Sequence, residues 1–404
     1  MNPVIIVLCI LGAAGLLLLL PLRGARSYNF YRPVKRMHEA DAVLSRRLLV
    51  PGSKAYESYY KLHPEFQPAD DRSRSSPGLL SNNARYFHTA TFSAARANFE
   101  VIDFLGGLVH GPLPGSYAEK DPPVRDRVRA DPGRTSRFIS TWLKGTGAHS
   151  VGFTRLEEYH LYSHKGRGPG SGRQIKREHE HAIAITVEMD HRKMQSAPLG
   201  TSVMESSEQY LRSGTLALKL AAWIRDLGYE ATAHIDGNYE VICPLVAVDA
   251  GLGTIGRMGL LMTPRLGPRV RISVVTTNMP VTYSNGTPDR TILHACHLCK
   301  KCATACPAAA IPDGPRTKTE GLERWRIISE NCYHYWTTTG TDCGRCITAC
   351  PYSHTDNHFH RFIRWGNKNN LLFRRMAIKL DDLIYGRKPA IRPLPDWSDI
   401  LDKP

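Results

Sequence analysis

CHLCKKCATACP, at Cys296–Pro307, decides how this chain is read. Its cysteines stand at gaps of two, two and three residues, so three thiolates can curl around one cubane while the fourth, stiffened by its proline, points to a second. A matching block, Cys332, Cys343, Cys346 and Cys350 followed by Pro351, supplies the remaining ligands. Two 4Fe-4S clusters are expected. The crossed ligation of two-cluster ferredoxins assigns Cys296, Cys299, Cys302 and Cys350 to one cluster, and Cys306, Cys332, Cys343 and Cys346 to the other. Cys332 stands far ahead of Cys343, so the spacing predicts a loop that carries it back to the cube. Structural zinc or disulfides would not need the third closely spaced cysteine or the terminal Cys-Pro. Cys9 and Cys243, in apolar surroundings, read as small buried residues.

At 404 residues the chain is much longer than two clusters require, so a larger domain must use the electrons. A net charge of +16 would suit nucleic acid, but the basic residues are dispersed and no nucleic-acid motif accompanies them. A membrane surface explains the charge better. Val4 to Leu20 is uncharged and strongly apolar, about 26 Å long as a helix. No basic region precedes it and no small-residue cleavage site follows, so it reads as an uncleaved transmembrane anchor rather than a signal peptide. Arg23, Arg26, Arg32, Lys35 and Arg36 follow it, which puts the carboxyl side in the cytoplasm. The expected location is a cell inner membrane, with a single amino-terminal span and a cytoplasmic catalytic domain.

From Ser27 to about Gly170 the pattern says only mixed helix and loop. A strand is predicted at His181–Glu188, a helix at about Ser207–Leu227 stopped by Gly228, and further strands at Tyr229–His234 and Arg269–Thr277. Alternating strand and helix suggest a layered α/β domain ahead of the cysteines. Within it, GLGTIG at Gly251–Gly256 spells a dinucleotide fingerprint, but no acidic residue stands about twenty positions on, and Pro264 and Gly267 interrupt the helix that should follow. A nicotinamide site is therefore set aside.

The succession IRDLGYEA at Ile224–Ala231, then Asn238, then PLVAVDAGLGTIGRMGLLMTPRLGPRVRISVVTTNMPV at Pro244–Val281, running into CHLCKKCATACPAAAI, resembles the corrinoid-dependent reductive dehalogenases over about Ile183 to Ser353. Epoxyqueuosine reductases share the general plan and are the more distant likeness. The resemblance implies a nitroreductase-like α/β core that binds cobalamin with no protein ligand below the cobalt, and a ferredoxin-like two-cluster module stacked against it. It also implies an organohalide substrate, a low-potential electron donor such as ferredoxin, flavodoxin or a quinol-linked protein, and catalysis by a tyrosine proton donor beside a basic side chain. By position that tyrosine is Tyr210, read as lying near the start of its helix. Arg269 and Arg271 both fit the basic partner, and residues two apart on a strand share a face, so the sequence leaves the choice open. Asn238 matches a substrate-pocket asparagine. Gly251, Gly253 and Gly256 would let backbone approach the corrin closely, or would simply form a tight turn. A guanidinium beside the phenol should ease proton release.

The expected organisation is a transmembrane anchor at 1–26, a mixed helix and loop region at 27–170, an α/β cobalamin-binding core at 171–285, the ferredoxin-like module at 286–365 and an amphipathic tail at 366–404. In that tail Asn370–Ile384 reads as a basic amphipathic helix. The histidines of HTDNHFHRFIRW, at His354–Trp365, match no zinc spacing. Two other readings remain open: a corrinoid reductase acting on a non-halogenated substrate, and a membrane-bound electron carrier with no substrate of its own.

Overall fold

The computed structural model describes residues 17–18, 20–22, 33, 35–112, 127–168, 170–284, 289–319 and 322–399. Its central element is a four-stranded sheet of order β1-β2-β6-β3, formed by β1 (Ser150–Arg155), β2 (His181–Glu188), β3 (Ala231–His234) and β6 (Val270–Thr277), while β4 (Thr254–Ile255) and β5 (Leu261–Met262) pair with each other. Every pairing is antiparallel, and Val187 of β2 lies opposite Arg271 of β6.

Antiparallel sheets often leave one face to water, but this one is covered on both sides. Ile183, Ile185 and Val187 of β2 pack with Leu216, Leu220 and Ile224 of a long helix, and with Ile139 and Leu143 of the helix Pro132–Gly145. Ala182 and Ala184 face the opposite way, against Val246, Ala247 and Ala250. That double burial is why β2 reads as an unbroken apolar run rather than an alternating one. The architecture is a three-layer mixed α/β core. β1 belongs to its sheet, so the core begins upstream of residue 171, where the sequence placed its boundary.

The helices that position the site are α1 (Thr89–Gly106), α2 (Pro132–Gly145), α3 (Gly200–Asp226) and α4 (Cys243–Asp249). α3 starts seven residues earlier than its apolar repeat suggested. Its first turns, TSVMESSEQ, are mostly polar and, apart from Met204 and Glu208, nevertheless buried. The fully buried Glu205 accepts hydrogen bonds from the Asp190 amide at 2.6 Å, Lys193 Nζ at 2.8 Å and Gln209 Nε2 at 3.0 Å, so the usual cost of a buried charge is met by local donors. Tyr210 therefore sits well inside the helix. α4 is a helix where a nucleotide-binding fold needs a strand, which removes the context of the glycine fingerprint.

The cysteine module follows as α5 (Arg290–Cys299), α6 (Lys301–Ala305), α7 (Ser329–Thr339) and α8 (Arg345–Thr348). The segment between Cys332 and Cys343 is not a simple loop: Cys332 lies in the first turns of α7, which ends at Gly340 with φ +80°. Carbonyls of residues 337–340 accept amide hydrogen bonds from Gly78, Leu80, Arg85 and Tyr86 at 2.8–3.1 Å, so the amino-terminal region braces this return. Two more helices, α9 (His358–Asn369) and α10 (Leu371–Tyr385), close the chain against α5. α10 is the amphipathic helix expected from the sequence, capped by the Asn370 side chain.

Among the described residues no helix is long and apolar enough to cross a membrane. The anchor expected at Val4–Leu20 lies almost wholly outside the described residues.

Candidate functional site

The eight motif cysteines form two groups. Cys296, Cys299, Cys302 and Cys350 line one cavity, together with Met258, Pro351 and Tyr352. Cys332, Cys343 and Cys346 lie close enough to Cys306 and to one another to interact electrostatically. Cys350 is thus gathered with the first block and Cys306 with the second. Burial pushes the thiols of Cys299, Cys332 and Cys343 up to about 12, and raises those of Cys296, Cys346 and Cys350 as well. Sulfurs so placed carry charge only if a bound metal compensates it, and soft thiolate donors suit iron–sulfur clusters. Among the described residues no three side chains converge as ligands of a single metal ion do.

Two short-range features bring the catalytic candidates together. β3 turns back through Ile235–Asn238, whose backbones exchange two hydrogen bonds of 3.0 Å, with Gly237 at φ +75° supplying the left-handed residue such a turn needs. This places Asp236, Asn238 and Tyr239 at one edge. Gly106, the last residue of α1, leaves room for the Asn238 side chain, which would collide with any Cβ there. From the other side α3 presents Tyr210 and β6 presents Arg271, whose guanidinium lies 4.6 Å from the centroid of the Tyr210 ring.

The two candidate arginines part here. Arg269 precedes β6, so the two-residue period of a strand does not govern it. It is buried, donating to the Ser353 carbonyl at 3.0 Å, the Met189 carbonyl and Glu188 at 2.7 Å. It fastens the core to the cysteine module. Arg271 instead bonds Asp342 at 2.9 Å and Ser206, and Asp342 immediately precedes Cys343. One guanidinium therefore links the tyrosine to the second cysteine group.

Burial pushes the Tyr210 phenol up to about 12; Arg271 draws it back part of the way, and Asp236 and Asp342 oppose that. The expected activation by a neighbouring cation is present but outweighed. Burial also raises the carboxyls of Asp236 and Asp342, each partly restored by arginines. Tyr239 has a similar arrangement, with the Arg167 guanidinium 4.8 Å from its ring centroid and burial raising its phenol. Tyr210, Asp236, Tyr239 and Arg271 each keep part of their surface exposed instead of being fully buried. Arg271 Nε, Asp342 Oδ1 and Gln209 Oε1 are buried nearby without partners, a donor and two acceptors suited to a bound group with a polar edge.

The glycine turn is explained by packing. A Cβ at Gly253 would strike the Met262 carbonyl, and one at Gly256 would lie 2.6 Å from Met262 Cγ and 3.6 Å from Cys296 Sγ. Gly251, with φ +77°, ends α4. Asp236, Asp342 and Arg167 were not singled out from sequence. Asp342 could have been suspected from its position beside Cys343, and Asp236 from the Asp-Gly pair that marks a tight turn.

Residues 295–354 match the 4Fe-4S dicluster domain family. Over 224 residues, 52% of this chain and 43% of the relative, the sequence is 33% identical to tetrachloroethene reductive dehalogenase of Sulfurospirillum multivorans. The match thus spans less than half of that relative's length. Epoxyqueuosine reductase of Lactococcus garvieae is 26% identical over 138 residues, 33% of this chain and 38% of that protein. A variant of the catabolic reductive dehalogenase NpRdhA superposes with a TM-score of 0.71 over 92% of this chain and 50% of that one, at 23% identity. A reductive dehalogenase structure described as suggesting a mechanism for B12-dependent dehalogenation gives 0.69 over 91% and 49%, also at 23% identity. The chain has the fold of solved reductive dehalogenases, carries a 4Fe-4S dicluster domain, and is similar in sequence to tetrachloroethene reductive dehalogenases.

Proposed function

We propose that this protein is a cobalamin- and iron–sulfur-dependent reductive dehalogenase that replaces the halogen of an organohalide by hydrogen. The observation that carries the reading is the Tyr210–Arg271 pair, tied through Asp342 to the second cysteine group. Cys296, Cys299, Cys302 and Cys350 would hold one cluster, and Cys306, Cys332, Cys343 and Cys346 the other. The corrinoid would be held beside Tyr210 and Asp236, with the Gly251 to Gly256 turn as the wall toward Cys296. When bound, these groups supply the two electrons of the reaction at low potential.

The chain's own residues supply the rest. Halide leaves, and the carbon takes one proton, which we assign to Tyr210. A phenol pushed up to about 12 keeps its proton at neutral pH and gives it only to a strongly basic centre, such as a carbon gaining electron density. The phenolate left behind is stabilised by Arg271, while Asn238, held at its turn, would orient the substrate. Water returns the proton. An enclosed pocket would keep the developing carbon base away from solvent until Tyr210 has acted.

The proposal extends to the setting: a low-potential electron donor, a membrane anchor at Val4–Leu20 and a catalytic domain in the cytoplasm. The deciding experiment loads the protein with corrinoid, supplies a reductant and scores halide release from aryl, alkenyl and alkyl halides. Release from one class is the expected result. No release across the set, with corrin bound and both clusters intact, would transfer the reading to a corrinoid reductase of non-halogenated substrates.

A further inference from the structure

The carboxyl-terminal helices α9 and α10 turn large apolar side chains outward. On α9, Phe359, Phe362 and Trp365 recur every three residues and are 47–56% exposed. On α10, Leu372, Met376, Leu380 and Leu383 recur at helical spacing, with exposures from 44% to 82%. Their opposite sides are occupied. Arg374, Ile378 and Asp381 of α10 face inward, where Lys301 and His354 meet Asp381. Gly366 of α9 makes room for the Phe373 ring. The outward stripes are thus not a misplaced core; the helices already have one.

The surrounding charge has one sign. Lys368, Arg375, Lys379 and Lys388 are exposed, whereas each carboxylate of residues 356–388 is engaged: Asp356 by Arg265, Arg361 and Arg364, Asp381 by Lys301 and His354, and Asp382 by Arg387. An anionic surface meets cations here and little to repel it. The same face receives the end of the apolar stretch. The buried Asn370 side chain, at the junction of α9 and α10, donates to the carbonyls of Leu17 and Leu20 at 2.8 Å each, and the Leu371 amide donates to the Leu22 carbonyl at 3.1 Å. A chain that leaves the bilayer at Leu20 is therefore fastened between the two stripes.

We propose that α9 and α10 lie in the headgroup and acyl boundary of the membrane, with Phe359, Phe362, Trp365, Met376 and Leu383 inserted and the lysines and arginines at anionic headgroups. This rests on reading Val4–Leu20 as an anchor. Aromatic and aliphatic residues flanked by cations form the composition that seats a helix flat in an interface. The consequence reaches the chemistry, because Phe359, Ile363, Leu380, Ile384 and Tyr385 also line the cavity of Cys296, Cys299, Cys302 and Cys350. That cysteine group faces the bilayer surface, and the Cys332 group lies toward Asp342, Arg271 and Tyr210. A membrane-resident reductant would meet the first group by the shorter route.

The test uses the full chain in vesicles of zwitterionic and anionic phospholipid, part of it brominated on the upper acyl chain, with tryptophan emission as the readout. Flotation with the vesicles and quenching that disappears in Trp365→Phe are expected. In that background Leu383→Trp should restore quenching, whereas Leu62→Trp, equally exposed but on another helix, should not. Flotation without quenching at residue 365 or 383 overturns the docking and leaves the anchor standing, as would burial of this face in a second copy. Equal quenching at residue 62 overturns it as well. Failure to float removes anchor and docking together.

Discussion

The Arg271 guanidinium rests over the ring of Tyr210, 4.6 Å from its centroid, and bonds Asp342 at 2.9 Å. A phenol proton donor gains twice from this. The cation stabilises the phenolate that donation leaves, and its carboxylate partner keeps it from swinging away.

The pair separates the two arginines experimentally. Tyr210→Phe keeps the ring and should leave corrinoid and cluster content unchanged while turnover falls about 100-fold or more, the range for losing a general acid. Arg271→Met should lower turnover by up to about tenfold for each unit by which the phenol becomes a weaker acid. Arg269→Met should act on stability instead. It leaves two backbone carbonyls unpaired in the interior and releases the half-exposed Glu188, at a cost of roughly 1–3 kcal/mol for each buried carbonyl, visible as a lower Tm. Full halide release from Tyr210→Phe with normal cofactor content would move the donor to Tyr239, which lies beside Arg167.

The pH dependence follows from burial. The donor works while protonated, so halide release fails only as pH rises through the phenol's pKa. Burial has pushed that value up to about 12, above the ordinary tyrosine value near 10. Initial rates should therefore stay level through the range where an exposed tyrosine ionises. Arg271→Met removes the influence that lowers the phenol, so it should carry any alkaline loss to still higher pH. An alkaline limb centred near the ordinary tyrosine value in the wild-type protein would be incompatible with Tyr210 as donor.

Asp342 should act through Arg271. Asp342→Asn preserves shape but weakens the charge-assisted hydrogen bond that orients the guanidinium, a change of about 1.5–3 kcal/mol at most. Turnover should fall less than in Arg271→Met. The double variant should be no slower than Arg271→Met alone, because a positioning residue has nothing left to position. Additive losses would give Asp342 a separate role.

The sequence made the cysteine module legible because its ligands are local: spacing alone separates a two-cluster pattern from zinc. β2, β6 and α10 were legible because their periodicity survives in the folded state. The first turns of α3 were not, since TSVMESSEQ is buried by hydrogen bonding around Glu205 rather than by apolar contact. β1 was hidden among turns and pairs only with a strand thirty residues away. The antiparallel order could not be read either, as β2 resembles a parallel strand once both faces are covered. The arginine choice depended on one boundary: β6 starts at Val270, after Arg269.

The last prediction concerns Cys350, which closes the second block in sequence but shares a cavity with Cys296, Cys299 and Cys302. If those four sulfurs hold one cubane, Cys350→Ala removes a ligand from the cluster of the first block and leaves Cys306, Cys332, Cys343 and Cys346 complete. Wild-type protein should contain about eight irons per chain, and the variant should lose up to half of them or convert one cluster to a three-iron form. Electron paramagnetic resonance distinguishes this from general collapse, since one 4Fe-4S signal should persist with its wild-type shape. A Cys306→Ala protein should show the converse, losing the other signal. The spectra should then sum to that of the wild type, apart from the magnetic coupling between neighbouring clusters. If Cys350→Ala and Cys346→Ala instead remove the same signal, each block ligates its own cluster and the crossed assignment is wrong.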